Sequence, residues 1–229
     1  MALPVNSSFR PCTASSVNLA GSKNDTDYHL ERPIGRYRYK SYLGGSLSLD
    51  MAHELVWLDL EMTGLNPKRH RIIEIATVIT DSELNIIAEG PELAIHANDT
   101  ILKRMNDYVH EMHQRSGLLD KVRNSKITIE DAEKQTLEFI DDHIEPKYRP
   151  PLCGNSIGTD RRFLDAQMST LEMRLHYRVV DVSSIKELVM RWNPELVGEM
   201  PAKLETHRAL DDVIESIEEL KFYREKIFR

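Results

Sequence analysis

The 229-residue chain has only two cysteines, Cys12 and Cys153, too few for a disulfide framework or a cysteine-only metal site. It has no run of 18 apolar residues, so no segment reads as a membrane span. It has no continuous apolar core of the kind that marks a secretory signal, and the expectation is a cytoplasmic protein. It also lacks a basic excess: 37 acidic residues against 30 basic ones leave a formal charge of −7. That balance argues against tracking long nucleic acid by neutralising many phosphates, and leaves open a site that grips a very short one. What is present, 41% hydrophobic and 29% charged residues, is the composition of a globular chain able to bury a sizeable core.

Residues 1–50 differ from the rest. They hold 8 of the 16 serines and 4 of the 10 glycines, with a local charge of +2, leaving −9 on the remainder. No apolar periodicity runs through them and turn formers recur, so a poorly ordered N-terminal extension is expected before a domain over 51–229. Residues 1–24 carry Arg10 and Lys23 and no acid, a composition compatible with a transit peptide. A leader or upstream start is the plainer reading, since Met51 immediately precedes the first convincing strand.

From residue 54 the chain becomes regular. "ELVWLDL" is a short apolar run suited to a sheet centre. "RIIEIATVIT" and "LNIIAEG", separated by Asp81, Ser82 and Glu83, predict an antiparallel meander. Helical patterns follow near 99–105 and 109–115, then a stronger one over 129–144 opened by Thr128 and Asp131 in capping-box spacing. Pro146, Pro150 and Pro151 break it. "LCGNSI" predicts a strand and its loop leading to a helix from Asp160. "YRVVDV" predicts another strand, followed by a helix capped by Ser184 and Glu187, and the last helix runs from about His207 to Phe228. Strands first, then strands alternating with helices, predict one α/β domain with a mixed sheet.

Within this frame, Asp59 and Glu61 end the first strand. Residues two apart share a strand face, so both carboxylates converge on one spot, where burial is costly unless a cation compensates. Asp160 follows a small polar loop and opens a helix, a place an acid also takes simply to favour the helix dipole. Asp211 and Asp212 flank the buried stripe of the last helix, which His207 opens. Spacing alone does not choose between these two aspartates.

Together these segments are far more specific than any one of them. Residues 54–228 resemble the DEDD-type 3′-to-5′ exonucleases of the histidine subclass, and among them the oligoribonuclease family. The resemblance rests on "ELVWLDLEMTGL", "EIATVITDSELNIIAEGPEL", "MHQRSGL", "LCGNSIGTDRRFL", "LHYRVVDVSSIKEL" and "HRALDDVIESIEELKFYRE". It implies a ribonuclease H-like mixed sheet flanked by helices, with Asp59, Glu61, Asp160 and Asp212 as metal-binding acids and His207 as general base. Four converging carboxylates repel unless cations neutralise them. Oxygen donors suit Mg²⁺ or Mn²⁺, two ions per active site, better than zinc.

By the same resemblance the substrate is short single-stranded RNA, from dinucleotides to about five nucleotides. Leu65 matches a wedge between two bases. Tyr108 stands where bacterial members usually carry tryptophan, a smaller face for stacking. His113 matches a position near the bases, and Ser156 and Ser183 match positions near the terminal phosphate. Tyr177 matches a residue that reaches the active site from the other subunit of a homodimer. Two other readings remain open at this point. One is a DNA-proofreading or RNA-trimming exonuclease of the same superfamily. The other is a catalytically silent nucleic-acid-binding module, for which four mutually repelling acids have no purpose.

Overall fold

A computed structural model describes residues 54–201 and 207–228; the expected extension over residues 1–50 lies outside them. Strand β1 (Leu55–Met62) is the sheet's centre and is buried on both faces along its apolar part. It pairs antiparallel with β2 (Ile72–Thr80), a nine-residue strand buried throughout. The Asp81 carboxylate builds the next reversal, accepting from the main-chain N–H of Glu83 and of Asn85, each at 2.8 Å. That turn delivers β3 (Ile86–Ala94) antiparallel to β2.

Helices α1 (Asp99–Leu102), α2 (Asp107–Arg115) and α3 (Leu118–Asn124) then cross the end of the meander. Helix α4 (Ile129–His143) carries the chain to the other half of the sheet, opened by the capping box of Thr128 and Asp131. Strand β4 (Pro151–Gly154) runs parallel to β1. Helices α5 (Gly158–Gln167) and α6 (Ser169–Arg174) return the chain to β5 (His176–Asp181), parallel to β4. The strand order is β3-β2-β1-β4-β5. Helix α7 (Val182–Trp192), a 3₁₀ segment (Pro194–Glu199) and helix α8 (Ala209–Lys226) complete the described chain.

Alternation along β1 divides the core. Val56, Leu58 and Leu60 pack with Ala132 and Ile140 of α4 and Phe163 and Leu164 of α5. Trp57, on the opposite face, packs with Val182 and Val189 of α7 and Val213, Ile217 and Tyr223 of α8. Each fully buried aliphatic side chain contributes about 1.5–3 kcal/mol. The Trp57–Asp59–Glu61 face thus passes from apolar to acidic as it runs toward the start of α8. The mixed α/β sheet and antiparallel meander are as the sequence predicts.

Three details differ. Helix α7 begins at Val182, capped by the Asp181 side chain, which accepts from Ser183 N at 3.0 Å. Ser184 therefore lies inside the helix, because β5 passes into α7 without a loop. Helix α3, not foreseen, follows its N-cap Gly117, whose φ of 71° reverses the chain after α2. Helix α8 begins at Ala209, so His207 and Arg208 precede it.

Candidate active site

The end of β1 and the first turn of α8 bring Asp59, Glu61 and Asp212 together, with a carboxylate oxygen of each within 4.8 Å of the others. Of the two aspartates between which spacing did not choose, Asp212 is the one in this cluster. Asp160, on the first turn of α5, is only 5% exposed and acts electrostatically on both Asp59 and Glu61.

Burial and mutual repulsion govern these acids. The Asp59 carboxyl is held well above the usual carboxylate range, first by burial and then by the charges of Asp160, Glu61 and Asp212. Glu61 is pushed up to about 8, first by burial and then by Asp212, Glu74 and Asp160, with Arg208 opposing. Asp160 rises to about 7 through burial, against main-chain hydrogen bonding from its own residue and Leu60. Groups so arranged either retain protons or share cations. Hard oxygen donors, with no cysteine among them, fit divalent ions such as Mg²⁺ or Mn²⁺.

His207 stands directly before α8, half-buried, with a left-handed backbone (φ 50°). Such a conformation costs a non-glycine residue on the order of 1–3 kcal/mol and persists only when its surroundings enforce it. Arg208 next to it is extended, and its forked guanidinium reaches Glu74 of β2 through Nε (3.1 and 3.2 Å) and Nη2 (2.6 Å).

A cavity of about 510 Å³ opens beside Glu61. Leu65 and Tyr108, each 73% exposed, line it with Thr63, Gly64, His70 and Arg104. Gly64 shapes its floor: with φ at 150°, a Cβ there would lie 2.7 Å from the His70 ring, and His70 Nδ1 meets Thr63 Oγ1 at 3.2 Å. Any larger residue there would strain the backbone and require the His70 ring to shift.

His113 stands elsewhere than expected. It is wholly buried, with Nε2 donating to the Met62 carbonyl at 3.0 Å and Nδ1 3.9 Å from Glu61 Oε2. It backs the carboxylate and offers no surface to a base, and burial lowers its pKa. Ser156 and Ser183 do come together: Ser156 N donates to Ser183 Oγ (3.3 Å) and Asp181 Oδ1 (3.1 Å), and Ser183 Oγ donates to Asp181 at 2.6 Å. Ser156 has a left-handed backbone (φ 52°). Tyr177 is not part of this constellation within its own chain. Its ring, 73% exposed on the edge strand β5, rests on His176 with 4.4 Å between centroids.

Comparison with known proteins accords with this geometry. The family model described as Exonuclease matches residues 56–220. The oligoribonuclease of Vibrio parahaemolyticus is 55% identical over 175 residues, covering 76% of this chain and 96% of that protein. The chain belongs to the oligoribonuclease family. It is accordingly an exonuclease-type enzyme that hydrolyses phosphodiester bonds. Solved structures at lower identity share the fold. Exonuclease I from Methylocaldum szegediense aligns with a TM-score of 0.59 at 19% identity, over 77% of this chain and 41% of that one. The nuclease domain of 3′hExo, described as a DEDDh family member bound to rAMP, aligns with a TM-score of 0.54 at 16% identity, over 78% and 94%.

The residues that sequence reasoning missed are Glu74 and Arg208. Glu74 is the one charge inside the buried run "IIEIATVIT", and a charge in such a place demands a partner. That was the available signal.

Proposed function

We propose that this enzyme removes nucleotides from the 3′ end of single-stranded RNA of two to about five nucleotides and releases 5′-mononucleotides. The observation that carries the proposal is that Glu61 belongs both to the carboxylate cluster and to the wall of the Leu65–Tyr108 cavity. Chemistry and base recognition therefore meet at one residue, and the cavity has the size of a small-ligand site.

In this reading Asp59, Glu61, Asp160 and Asp212 hold two divalent cations, Mg²⁺ or Mn²⁺. Once bound, these would supply the positive charge that offsets the negative charge building up as the phosphodiester is cleaved. His207 accepts the proton of the attacking water, a role suited to an imidazole near neutrality. Water oxygen bonds to phosphorus as the phosphorus–O3′ bond to the preceding nucleotide breaks, and the departing O3′ takes a proton from solvent water to leave as a hydroxyl. Leu65 wedges between the two bases and Tyr108 stacks on one of them. Ser156 and Ser183, already tied to each other, hold the terminal phosphate. His113 serves through Glu61 and Met62 and does not touch a base.

The proposal includes a homodimer acting in the cytoplasm, with Tyr177 contributed to the partner's site. Support comes from the outer edge of the sheet, where Tyr177 and Val179 are exposed on β5 and Leu188 and Trp192 on α7. Apolar surface of this kind on an open edge strand suits pairing with another chain.

Incubation of the purified chain with labelled RNA and DNA of two, three, five and ten nucleotides, with and without EDTA, tests the reading. RNA dinucleotides should be cleaved fastest, and EDTA should stop all cleavage. Equal or faster loss of ten-nucleotide DNA would place the enzyme with the DNA-proofreading members of the superfamily.

A further inference from the structure

Helix α8 begins without a cap of its own. Its N-cap residue, Arg208, offers no side-chain hydrogen bond to the first turn. The need is met from another strand: Glu74 Oε2 accepts from Ala209 N at 3.1 Å. The same carboxylate receives the Arg208 fork, and Arg208 Nη2 also reaches Glu92 of β3. Glu74 is wholly buried and stands opposite Glu61 in the β1–β2 register. Glu92 stands opposite Ala76, so both carboxylates lie on the sheet face that carries Asp59 and Glu61. One buried acid thus ties the strand beside the metal-ligand cluster to the two residues that follow His207.

The left-handed backbone of His207 gives this tie a consequence. The chain must turn sharply at His207 and then be seized at once by Arg208 and Ala209. A bidentate Arg–carboxylate pair fixes orientation as well as distance. We infer that Glu74 and Arg208 are positioning residues, a clamp that fixes where His207 stands relative to Asp212 by fixing the start of α8. The inference rests on the reading of His207 as general base. Glu74 touches no reacting atom in it; its effect on turnover passes through His207. The pairing also offsets part of the repulsion that Glu74 adds beside Glu61.

Steady-state hydrolysis of an RNA dinucleotide in saturating Mg²⁺, by four chains, tests the clamp. These are the wild type, Glu74→Gln, His207→Ala and the double variant. Glu74→Gln keeps the shape and loses the charge that holds the fork. Its kcat should fall about 10- to 100-fold, the scale of a small misplacement of a reacting group, with KM changed less than about two-fold. In the His207→Ala background the same substitution should lower kcat by no more than about two-fold, since residues acting as a unit are non-additive.

Loss by the full factor in that background would overturn the clamp, because Glu74 would then act on the fold or the acids directly. Wild-type kcat in Glu74→Gln would overturn it too. If Glu74→Gln does not accumulate as a folded protein, Arg208→Lys reads the same coupling from the outer side of the pair: charge is kept, the fork is lost, and the loss should again vanish without His207. His207→Ala with wild-type turnover would instead remove the base itself, a failure of the proposed function that this set of variants tells apart from failure of the clamp.

Discussion

Asp212 and Asp211 differ by one position on α8, and that position decides everything about them. Asp212 shares the 4.8 Å cluster with Asp59 and Glu61, whereas Asp211 does not. Asp212→Asn should abolish measurable hydrolysis, and it should leave the metal-free protein as stable as before or more so, because one repelling charge is gone. Asp211→Asn should retain at least about half of wild-type turnover, because Asp211 is not a member of that cluster. Rates on an RNA dinucleotide, with melting temperatures in EDTA, check both variants. At this scale the sequence was legible where residue type and strand period act alone: Asp59 and Glu61 follow from alternation in "WLDLE". It was not legible at Glu74 and Arg208, because their pairing joins positions more than a hundred residues apart. Nor did it show that His113 lies behind Glu61, since burial depends on how α2 packs against β1.

Among the elements, the turn after β1 is the least tolerant. Thr63, Gly64 and Leu65 follow directly on the strand that carries the acids and line the cavity, and His70 fills the space behind Gly64. Gly64→Ala adds a methyl group where only 2.7 Å is available and where φ is 150°. It should destabilise the fold by about 1–3 kcal/mol and raise KM for dinucleotides more than it lowers kcat, because Gly64 and His70 line the cavity while Asp59 and Glu61 stand on β1. Thermal unfolding and a KM and kcat comparison test this. The elements read most reliably from sequence were those with strong local signals: the β1–β3 meander, with its Asp81 turn, and α4, with its capping box. Ser184 and Glu187 resemble a capping box equally well, yet Asp181, at the end of β5, caps α7 first. Helix α3 was hidden because the left-handed backbone of Gly117, which joins two helices, shows only in the structure.

For the molecule as a whole, assembly and proton balance can each be measured. If the proposed dimer forms, Asp160→Asn and Tyr177→Ala should each be inactive alone. Mixed under conditions that exchange subunits, they should regain activity, because such a mixed dimer would have one site with intact acids and a tyrosine from the other chain. No recovery in a mixture shown to exchange would mean that Tyr177 does not serve a partner's site.

Stability without metal has a definite sign with pH. Glu61 and Asp160 have folded pKa values of about 8 and about 7, above their ordinary carboxylate values. Between the two ranges the folded state binds more protons than the unfolded one, so stability falls as pH rises. In EDTA the melting temperature should therefore decline between about pH 5 and pH 8, and divalent cations should raise it more at pH 8 than at pH 5. A melting temperature that rises over this window in EDTA would contradict the assignment of raised carboxyl pKa values.

Proton release on cation binding tests the central claim, that these buried acids keep protons until divalent cations take their place. Calorimetric titration of the metal-free protein with Mn²⁺ at pH 7, in two buffers of different ionisation enthalpy, measures it. Two ions per chain should bind with release of about one to two protons, and Asp59→Asn should weaken binding and reduce the release. Binding with no buffer dependence, or no binding at all, would contradict the account.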